Sequence, residues 1–453
     1  MIPRQLHPVV HFTGIGGAGM APLAAWHAAR GFRVTGTDRQ ESSNLEWLRG
    51  LGVDARAGHD PALAVRSTLL VRTSAVAEDH PEVAAARHAG IPCVRRAEAL
   101  GEVTRSGRAL CVAGTHGKTT TTLMLGRILR EAGLEPCVIP GGVPTEPDDA
   151  LVPGASGPMV VETDEFDRTF LRLFPETAVV TNLEEDHLDC YRDLDDLRDA
   201  FGQFLSRLPF HGRAILCADD AGAIGLRGSV EVPVLTYGID AEADLRGVER
   251  DDGAMDVSWK GVRAATVRLG VPGRHNRLNA LAAMLAASLE GVGWEAAARA
   301  VEGFRGARRR LDLAGTFSGC PVYDDYAHHP TEIEATLQAV RETEIGRKVA
   351  VVFQPHLYSR TAHFAAGFAS ALAGADLALL APVYPARETP DQGVGSEGIA
   401  SRAPSGTPIE LVAGRVDAVD RVRRVAREGG WVVLFVGAGD VGSWAFDLVE
   451  ARA

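Results

Sequence analysis

The residues of this sequence best suited to chemistry are Lys118 and Thr119, which directly follow a glycine-rich run. Glycines allow backbone N–H groups to turn toward an anion, and the start of a helix adds partial positive charge. A lysine here can reach a β- or γ-phosphate, and a threonine hydroxyl can ligate Mg²⁺. The predicted phosphate loop comprises Gly114, Thr115, His116, Gly117, Lys118, Thr119 and Thr120.

The phosphate loop departs from the general G-x-x-x-x-G-K-[ST] pattern, because Val112 stands where the first glycine is expected. A glycine-rich turn that binds nothing is therefore the alternative interpretation. Lysine is rare in this chain: Lys118, Lys260 and Lys348 are the three lysines among 47 basic residues. One of these rare lysines lies at the phosphate position, which favours nucleotide binding.

A buried strand and an amphipathic helix are predicted on either side of this loop. Residues 109–113 form a short apolar run, which is typical of a buried strand. After the loop, Leu123, Met124, Ile128 and Leu129 recur at helical spacing. A strand, a glycine loop and a helix in this order predict a phosphate site at the helix N-terminus.

A second glycine-rich loop follows an apolar run at residues 9–13. Gly14, Gly16 and Gly19 satisfy the pattern G-x-G-x-x-G, and Asp38 follows about 20 residues later at the end of the next strand. The pattern indicates a diphosphate at a helix end and an acid near a sugar or base. Three interpretations stay open on this segment alone: a nicotinamide dinucleotide, another diphosphate ligand such as a UDP-sugar, or tight packing without a ligand.

Acidic residues follow two predicted strands in the middle of the chain, at residues 159–161 and 178–181. The carboxyl ends of parallel strands meet at one edge of a sheet, so both acidic segments are expected near the phosphate loop. Acids beside nucleotide phosphates require a cation such as Mg²⁺ between them. The alternative is a pair of solvated loops, and we favour it for Glu165, Asp167 and Glu184.

The last third of the chain carries four strand candidates, at residues 322–323, 349–353, 377–381 and 431–436. Polar clusters follow each of them, as expected at the crevice of a Rossmann-like domain. Two segments before this region also have alternative interpretations. The segment of His275, Asn276 and Asn279 either caps a helix or contacts adenine, and the basic run that contains Arg310 is either a solvated linker or an anion clamp.

Composition limits the class of protein. A chain of 453 residues with 46% hydrophobic residues suggests two to four globular α/β domains. The net charge of −12 argues against a nucleic-acid partner. Six scattered cysteines without a C-x-x-C pair favour reduced thiols, and the sequence shows neither a signal segment nor an apolar run of ~18–20 residues. We therefore predict a cytoplasmic protein that does not bind membranes.

The alternation of strands and helices predicts an α/β protein of three domains. We place a Rossmann-like N-terminal domain at residues 1–105, a central P-loop ATPase-type domain with a mixed sheet at residues 106–308, and a Rossmann-like C-terminal domain at residues 309–453. Short segments of period two between residues 214 and 269 predict a small antiparallel sheet appended to the central domain.

Ten segments of this chain, in order, resemble the Mur ligase family. They are HFTGIGGAGM, TSAVAEDHPEV, AGTHGKTTTT, VETDEFD, TNLEEDHLD, GRHNRLNA, FRGARRRLD, DDYAHHPTEI, FQPHLYSRT and VGAGD, and they span residues 11 to 440. Each segment alone is weakly or moderately specific, whereas ten in the family's order are strongly so. The segments are most similar to the members that join L-alanine to UDP-N-acetylmuramate.

The resemblance implies a role for each domain: UDP-sugar binding, ATP binding and amino-acid binding, with ATP and Mg²⁺ as cofactors in a monomer or homodimer. It assigns ATP to the phosphate loop and to His275, Asn276, Asn279, Arg310, Asp325 and His328. It assigns magnesium to Thr119, Glu162 and His187, and the UDP-sugar to Gly14, Gly16, Gly17, Gly19, Asp38 and Ser74. It assigns catalysis to Lys118, Glu162, His187 and His329, and the remaining substrate contacts to His356 and Arg360.

The reaction implied by the resemblance proceeds through an acyl phosphate. The lactyl carboxylate attacks the ATP γ-phosphate, and the alanine amine then displaces phosphate through a tetrahedral intermediate. Such chemistry depends on positioning and charge neutralisation more than on a protein nucleophile. His329 and His356 are candidates for taking the amine proton. No lysine lies between Lys118 and Lys260, so the carbamylated lysine that bridges metals in several relatives is not expected.

Departures from the family pattern affect the predicted amino-acid site. Leu357 stands where the family usually has arginine, and Arg387 stands where it usually has glycine. Three rival functions follow: a sister ligase that joins a preformed murein peptide to the same sugar nucleotide, an NAD-dependent oxidoreductase using the Gly14 loop, and a non-catalytic nucleotide-gated binding protein.

Overall fold

The computed structural model describes residues 8–73, 75–146, 157–186, 190–389 and 393–450. They divide into two units. The first unit comprises Met1–Leu269 and Leu278–Phe304, and the second comprises Gly270–Arg277 and Arg305–Ala453. The first unit contains a five-stranded and a nine-stranded sheet, and the second contains a six-stranded sheet.

Five parallel strands build the N-terminal sheet in the order β3-β2-β1-β4-β5. The strands are β1 (Val9–Thr13), β2 (Arg33–Asp38), β3 (Asp54–Ala57), β4 (Leu69–Arg72) and β5 (Cys93–Arg95), and the helices are α1 (Ala21–Ala29), α2 (Ser43–Gly50), α3 (Pro61–Ala64), α4 (Pro81–His88) and α5 (Arg96–Arg105). The strand order reverses between β1 and β4, which is where doubly wound sheets bind ligands. The predicted Rossmann-like domain is confirmed.

A buried carboxylate fastens the strand ends below the glycine loop of this domain. Glu82, in α4, is fully buried and accepts hydrogen bonds from Thr13 Oγ1 at 2.8 Å, Thr37 Oγ1 at 2.7 Å and the Asp60 N–H at 2.6 Å. The His11 ring lies 3.4 Å away. Burial opposes ionisation of Glu82, but the hydrogen bonds from His11 and the other donors outweigh it and lower its pKa to about 2. Glu82 therefore joins the ends of β1 and β2 to α3.

We expect the acid stability of the protein to depend on Glu82. Its folded pKa lies below the ordinary value, so its contribution is complete above about pH 4.5 and is lost as the pH falls toward 2. The contribution amounts to roughly 3 kcal/mol of unfolding free energy. Urea unfolding of Glu82→Gln between pH 2 and pH 7 should show a lower stability at neutral pH and a flatter acid limb. Glu102→Gln, which changes an exposed glutamate, is the control. Equal acid limbs in wild type and Glu82→Gln would contradict this role.

Nine strands build the central sheet in the order β14-β13-β12-β11-β10-β9-β6-β8-β7. The strands are β6 (Ala109–Ala113), β7 (Cys137–Ile139), β8 (Met159–Glu162), β9 (Thr177–Val180), β10 (Arg213–Cys217), β11 (Val234–Gly238), β12 (Leu245–Glu249), β13 (Met255–Trp259) and β14 (Val262–Val267). The helices are α6 (Lys118–Glu131), α7 (Leu194–Leu205), α8 (Ala221–Gly225), α9 (Arg274–Leu289) and α10 (Trp294–Glu302), with 3₁₀ segments at Phe166–Arg172 and Leu226–Ser229. All five residues of β6 are buried, as its apolar run predicts for a strand with neighbours on both sides.

The predicted antiparallel strands are present, and they belong to the central sheet. β12 pairs in parallel with β11 through Leu245 and Arg246, and β13 and β14 then continue the sheet in antiparallel fashion. This short parallel pairing makes the strands an extension of the nine-stranded sheet. The mixed sheet predicted for the central domain is thereby confirmed.

Six strands build the sheet of the second unit in the order β15-β16-β20-β17-β18-β19. The strands are β15 (Asp312–Phe317), β16 (Cys320–Asp325), β17 (Lys348–Phe353), β18 (Leu377–Leu380), β19 (Ile409–Leu411) and β20 (Trp431–Val436), and the helices are α11 (Pro330–Thr343), α12 (Tyr358–His363), α13 (Ala365–Leu372), α14 (Ser396–Ala400), α15 (Arg415–Arg427) and α16 (Val441–Glu450). β15 is antiparallel to β16 and the other pairs are parallel. The predicted Rossmann-like C-terminal domain is confirmed.

All six cysteines are free thiols, as their scattered spacing predicts. Among the residues described, no helix combines the length and the apolar character that crossing a lipid bilayer requires.

Candidate functional site

The phosphate loop connects β6, a strand of the central sheet, to the N-terminus of α6. Gly114 and Gly117 have φ values of +134° and +80°, which favour glycine. A Cβ atom at Gly117 would lie 2.4 Å from Asn279 Oδ1, and one at Gly114 would lie 2.0 Å from Thr181 Oγ1. The loop is therefore closely packed, and Gly117 brings no side chain to cap α6. The first-turn N–H groups of this helix can serve an anion.

Residues after β9 brace the other side of the loop. Asn182 Oδ1 accepts from the His116 N–H at 2.7 Å, and Thr181 Oγ1 donates to the His116 carbonyl at 2.6 Å. Thr115 Oγ1 accepts from the Glu184 N–H at 3.0 Å, and the Glu184 carboxylate lies 3.3 Å from the His116 ring. Thr120 is half-buried in the first turn of α6. Loop and brace together fix the backbone of the predicted phosphate site.

The Lys118 ammonium is folded back over its own loop. Its Nζ donates to the carbonyls of Gly114 at 2.7 Å and Thr115 at 3.1 Å, and it lies 2.8 Å from both carboxylate oxygens of Glu165. Burial alone would lower the pKa of Lys118, but the charge of Glu165 outweighs it and raises the pKa. Lys118 is thus a firmly charged, positioned cation.

Two glutamates of this site, Glu165 and Glu184, were predicted to lie in solvated loops. The Glu165 side chain is instead only 1% exposed and pairs with Lys118. Glu184 is partly exposed, but it braces the phosphate loop through Thr115 and His116. Tyr191 donates its hydroxyl to the Glu165 carbonyl at 2.6 Å and fixes the backbone there. Asp167, two residues on, is about half exposed, as predicted.

Thr119 and Glu162 form an oxygen-lined pair at the ends of α6 and β8. Thr119 Oγ1 donates to Glu162 Oε1 at 3.0 Å, and the Gly141 N–H donates to the other carboxylate oxygen. Burial raises the pKa of Glu162, with the Gly141 hydrogen bond and Lys118 opposing it. A hydroxyl and a buried carboxylate are hard oxygen ligands, which fit Mg²⁺. The third predicted ligand, His187, lies outside the described residues.

Helix α9 carries the three residues predicted for adenine. Asn279 is buried and packs against Gly117 in the first unit. His275 and Asn276 belong to the second unit, where the Asn276 side chain donates to the Pro272 carbonyl at 2.6 Å. Burial lowers the pKa of His275 to about 4, with Arg310 adding to the shift, so the ring is neutral at pH 7. A neutral ring suits stacking on a base.

The glycine loop after β1 lies against the ends of β2 and β4. Gly14 has a φ of +83°, and a Cβ there would lie 2.8 Å from Thr73 Cγ2. The Gly16 N–H donates to Asp38 Oδ2 at 2.8 Å, so Asp38 positions the loop itself. Gly17 continues this turn through its N–H, which donates to the Gly14 carbonyl at 3.2 Å. Ser74 lies outside the described residues.

An arginine that we did not predict lies beside this loop. A Cβ at Gly19 would lie 2.8 Å from a guanidinium nitrogen of Arg96, the first residue of α5. A guanidinium over a glycine loop at a helix end is suited to a diphosphate. Arg96 directly follows the carboxyl end of β5 in the sequence, and this was the one available indication that it lies near the ligand-binding edge of the sheet.

The second unit carries the predicted residues after β16. Asp325 is buried and accepts from the N–H groups of Leu311 at 2.6 Å and Ala327 at 2.8 Å. Burial raises its pKa to about 6, with Arg310 opposing the shift. Glu332 also joins this group, because it accepts from the His328 N–H at 2.9 Å and lies 3.4 Å from the Arg310 guanidinium. Glu332 is a further residue that we did not predict.

Three histidines and an arginine of the second unit follow two of its strands: His328 and His329 come after β16, and His356 and Arg360 come after β17. The His356 ring stacks on Tyr384 at 5.8 Å between centroids and lies 6.3 Å from the His328 ring. Burial lowers the pKa of His356 to about 4, with His328 adding to the effect, so the ring is neutral at pH 7. His329 caps α11, and Arg360 is buried in α12.

Leu357, the departure from the family pattern next to His356, begins α12 in an unusual conformation. It is buried with a φ of +67°, which is uncommon for a side chain of this size. Its carbonyl accepts from Thr361 Oγ1 at 2.7 Å, and its N–H donates to the Tyr384 carbonyl at 2.9 Å. An apolar residue therefore replaces a charge beside the candidate amino-acid site.

Family models match three consecutive parts of the chain. The model described as Mur ligase family, catalytic domain, matches residues 9–108, the Mur ligase middle domain matches residues 112–287, and the Mur ligase, glutamate ligase domain, matches residues 309–439.

Full-length relatives and solved structures agree with these matches. UDP-N-acetylmuramate–L-alanine ligases from Salinibacter ruber and Paenarthrobacter aurescens are 42% and 44% identical over 439 and 449 residues, which cover 95% and 98% of this chain and 92% and 96% of theirs. The structure of UDP-N-acetylmuramate–alanine ligase from Thermotoga maritima matches with a TM-score of 0.79 at 29% identity, covering 98% of this chain and 99% of that one. A murein peptide ligase from Psychrobacter arcticus matches with a TM-score of 0.72 at 26% identity, covering 98% of both chains.

Proposed function

Because this chain belongs to the Mur ligase family, we propose that it joins L-alanine to the lactyl carboxylate of UDP-N-acetylmuramate and converts ATP to ADP and phosphate. The observation that carries the proposal is the arrangement of Lys118 and Thr119 at the start of α6 beside Glu162 at the end of β8. Membership of this family sets the oxidoreductase interpretation of the Gly14 loop aside. The relatives at 42–44% identity favour L-alanine over a peptide as the amine.

The phosphate loop and Lys118 neutralise charge during phosphoryl transfer. The lactyl carboxylate attacks the γ-phosphate, the bond to the β-phosphate oxygen breaks, and ADP leaves from an acyl phosphate. Lys118 and the first N–H groups of α6 bind the transferring phosphoryl oxygens. Thr119, Glu162 and His187 would hold Mg²⁺, which supplies further charge neutralisation when bound.

The alanine amine then attacks the acyl carbonyl, and phosphate leaves. His329 and His356 are the two candidates for accepting the amine proton. Burial lowers the pKa of His356 to about 4, so its ring is neutral at pH 7 but is a weak base. Arg360 and His356 bind the remaining substrate, and Asp325, His328 and Arg310 contact ATP from the C-terminal domain. The neutral ring of His275 and the amides of Asn276 and Asn279 bind adenine.

The N-terminal domain binds the uridine diphosphate. Gly14, Gly16, Gly17 and Gly19 bring the backbone close to the diphosphate, and Arg96 adds a cation there. Asp38 and Ser74 complete this side, with Asp38 acting on the loop through the Gly16 N–H. We propose domain limits of 1–105, 106–308 and 309–453, and the three consecutive family matches support them. We also propose that the protein is a cytoplasmic monomer or homodimer.

An amine panel with ATP, Mg²⁺ and UDP-N-acetylmuramate tests this function. We expect phosphate release with L-alanine to exceed release with a murein tripeptide by about a hundredfold, because the relatives at 42–44% identity are L-alanine ligases. Coupled measurement of ADP and mass spectrometry of the amide product give the readout, with reactions lacking the sugar nucleotide as the control. Release with the tripeptide alone would show a murein peptide ligase, and no ADP with any amine would contradict a ligase.

A further inference from the structure

The Lys118 ammonium has no donor left for a phosphate. An ammonium carries three N–H donors, and here they face two loop carbonyls and the bidentate Glu165 carboxylate within 3.1 Å. The Lys118 side chain is 14% exposed, so this arrangement is largely enclosed. A nucleotide phosphate can therefore bind Lys118 only if one of these partners gives way.

Glu165 is the partner that a phosphate would replace. The two carbonyls belong to the phosphate loop itself, whereas Glu165 is the anion directly bonded to the ammonium. A buried carboxylate and a phosphate repel each other strongly when they share one cation. The Glu165 carboxylate thus occupies the place on Lys118 that we expect a negatively charged nucleotide phosphate to take.

The segment around Glu165 is built to hold the carboxylate in place. Tyr191 fixes the Glu165 backbone, and the next turn contains Asp167 and Arg168 in left-handed conformations, with φ values of +53° and +51°. Two consecutive left-handed residues without glycine are costly and persist only where neighbours enforce them. The conformation of Arg168 is held by its guanidinium, which donates to both carboxylate oxygens of Asp196 at 2.8 Å and lies over the Tyr191 ring.

We propose that Glu165 is a positioning residue that holds the Lys118 ammonium closed in the nucleotide-free protein and competes with nucleotide phosphate for it. The proposal uses the proposed function only in taking a nucleoside phosphate as the ligand. In this arrangement the lysine stays charged and aimed into its loop when no nucleotide is bound. Binding then exchanges one anion for another at a fixed cation.

Nucleotide affinity measured without divalent cations tests this competition. Calorimetric titration of ADP in EDTA should show Glu165→Gln binding about tenfold more tightly than wild type, because one charge-assisted contact no longer competes. Asp167→Asn, which removes a half-exposed charge two residues from Glu165 that pairs with Arg95 and not with Lys118, should change the affinity less than twofold. No gain in Glu165→Gln, or a gain equal to that of Asp167→Asn, would overturn the proposal.

The scarcity of lysine provides a second readout that does not depend on nucleotide. Lys260 and Lys348 are exposed, so reductive methylation followed by peptide mass spectrometry reports Lys118 against two internal references. We expect Lys118 to be modified at least about tenfold more slowly than the references in wild type, and to approach them in Glu165→Gln. Equal protection of Lys118 in both proteins would overturn the proposal that Glu165 holds its ammonium.

Two checks keep the outcome separate from folding and from the proposed function. Thermal unfolding establishes that each variant is folded, and Glu165→Asp, which keeps the charge but shortens its reach, serves if Glu165→Gln does not fold. Glu165→Asp should also bind ADP more tightly than wild type in EDTA, and the absence of that gain would count against competition between Glu165 and phosphate. Neither assay involves amide formation, so failure of the amine panel leaves this result interpretable.

Discussion

Replacing Lys118 by alanine should abolish phosphate release while leaving the UDP-sugar site intact. We expect kcat/KM to fall about a thousandfold, because one preorganised cation is removed from the transferring phosphoryl group. Binding of UDP-N-acetylmuramate, measured by calorimetry, should change less than about twofold, since its proposed site lies on the N-terminal sheet. Lys348→Ala, which removes an exposed lysine beside Trp431, is the matched control.

Stability must be separated from catalysis in this variant. Lys118→Ala leaves the buried Glu165 carboxylate without its cation, which costs about 3–5 kcal/mol of unfolding free energy. The double variant Lys118→Ala/Glu165→Gln should recover most of that stability and none of the activity. Recovered activity in the double variant, or parallel loss of UDP-sugar binding in the single one, would show that Lys118 acts through folding.

Four of the strands that the sequence predicted are interior strands with an apolar run. β6, β8, β17 and β20 are buried along most of their length, and burial produces the hydrophobic runs that we recognised. β3, β7, β15 and β19 were among the strands that the sequence did not predict. All four lie at sheet edges, where the apolar pattern is weak or, in the three residues of β7, very short.

The site divides in the same way between local and long-range information. The phosphate loop could be predicted because its glycines, lysine and helix are contiguous in sequence. Glu165 could not be, because its burial depends on Lys118, 47 residues earlier, and on Tyr191, 26 residues later. Arg96 was missed although its place directly after β5 was an indication, because its contact with the Gly19 loop joins distant parts of the chain. Glu332 was missed because its partner Arg310 lies 22 residues earlier.

Glu162→Gln should weaken the use of magnesium without unfolding the protein. The glutamine oxygen can accept from the Gly141 N–H and its amide nitrogen can donate to Thr119 Oγ1, now 3.0 Å from Glu162, so the change removes charge while preserving shape. Loss of a carboxylate ligand should lower kcat about a hundredfold and raise the Mg²⁺ concentration for half-maximal activity about tenfold or more. Magnesium titrations of phosphate release give both values.

A matched control lies on the same acidic segment. Asp167→Asn removes a charge that is about half exposed and pairs with Arg95 at 3.2 Å. Asparagine tolerates the left-handed conformation of this position, so the backbone should not change. An exposed pair contributes at most about 1 kcal/mol, and kcat and the magnesium dependence should therefore stay within about twofold of wild type.

If Glu162→Gln behaved like Asp167→Asn, Glu162 would be a structural partner of Thr119 and not a cation ligand. If instead its ADP affinity in EDTA fell as far as it falls with Mg²⁺ present, the carboxylate would act on the loop and not through the cation.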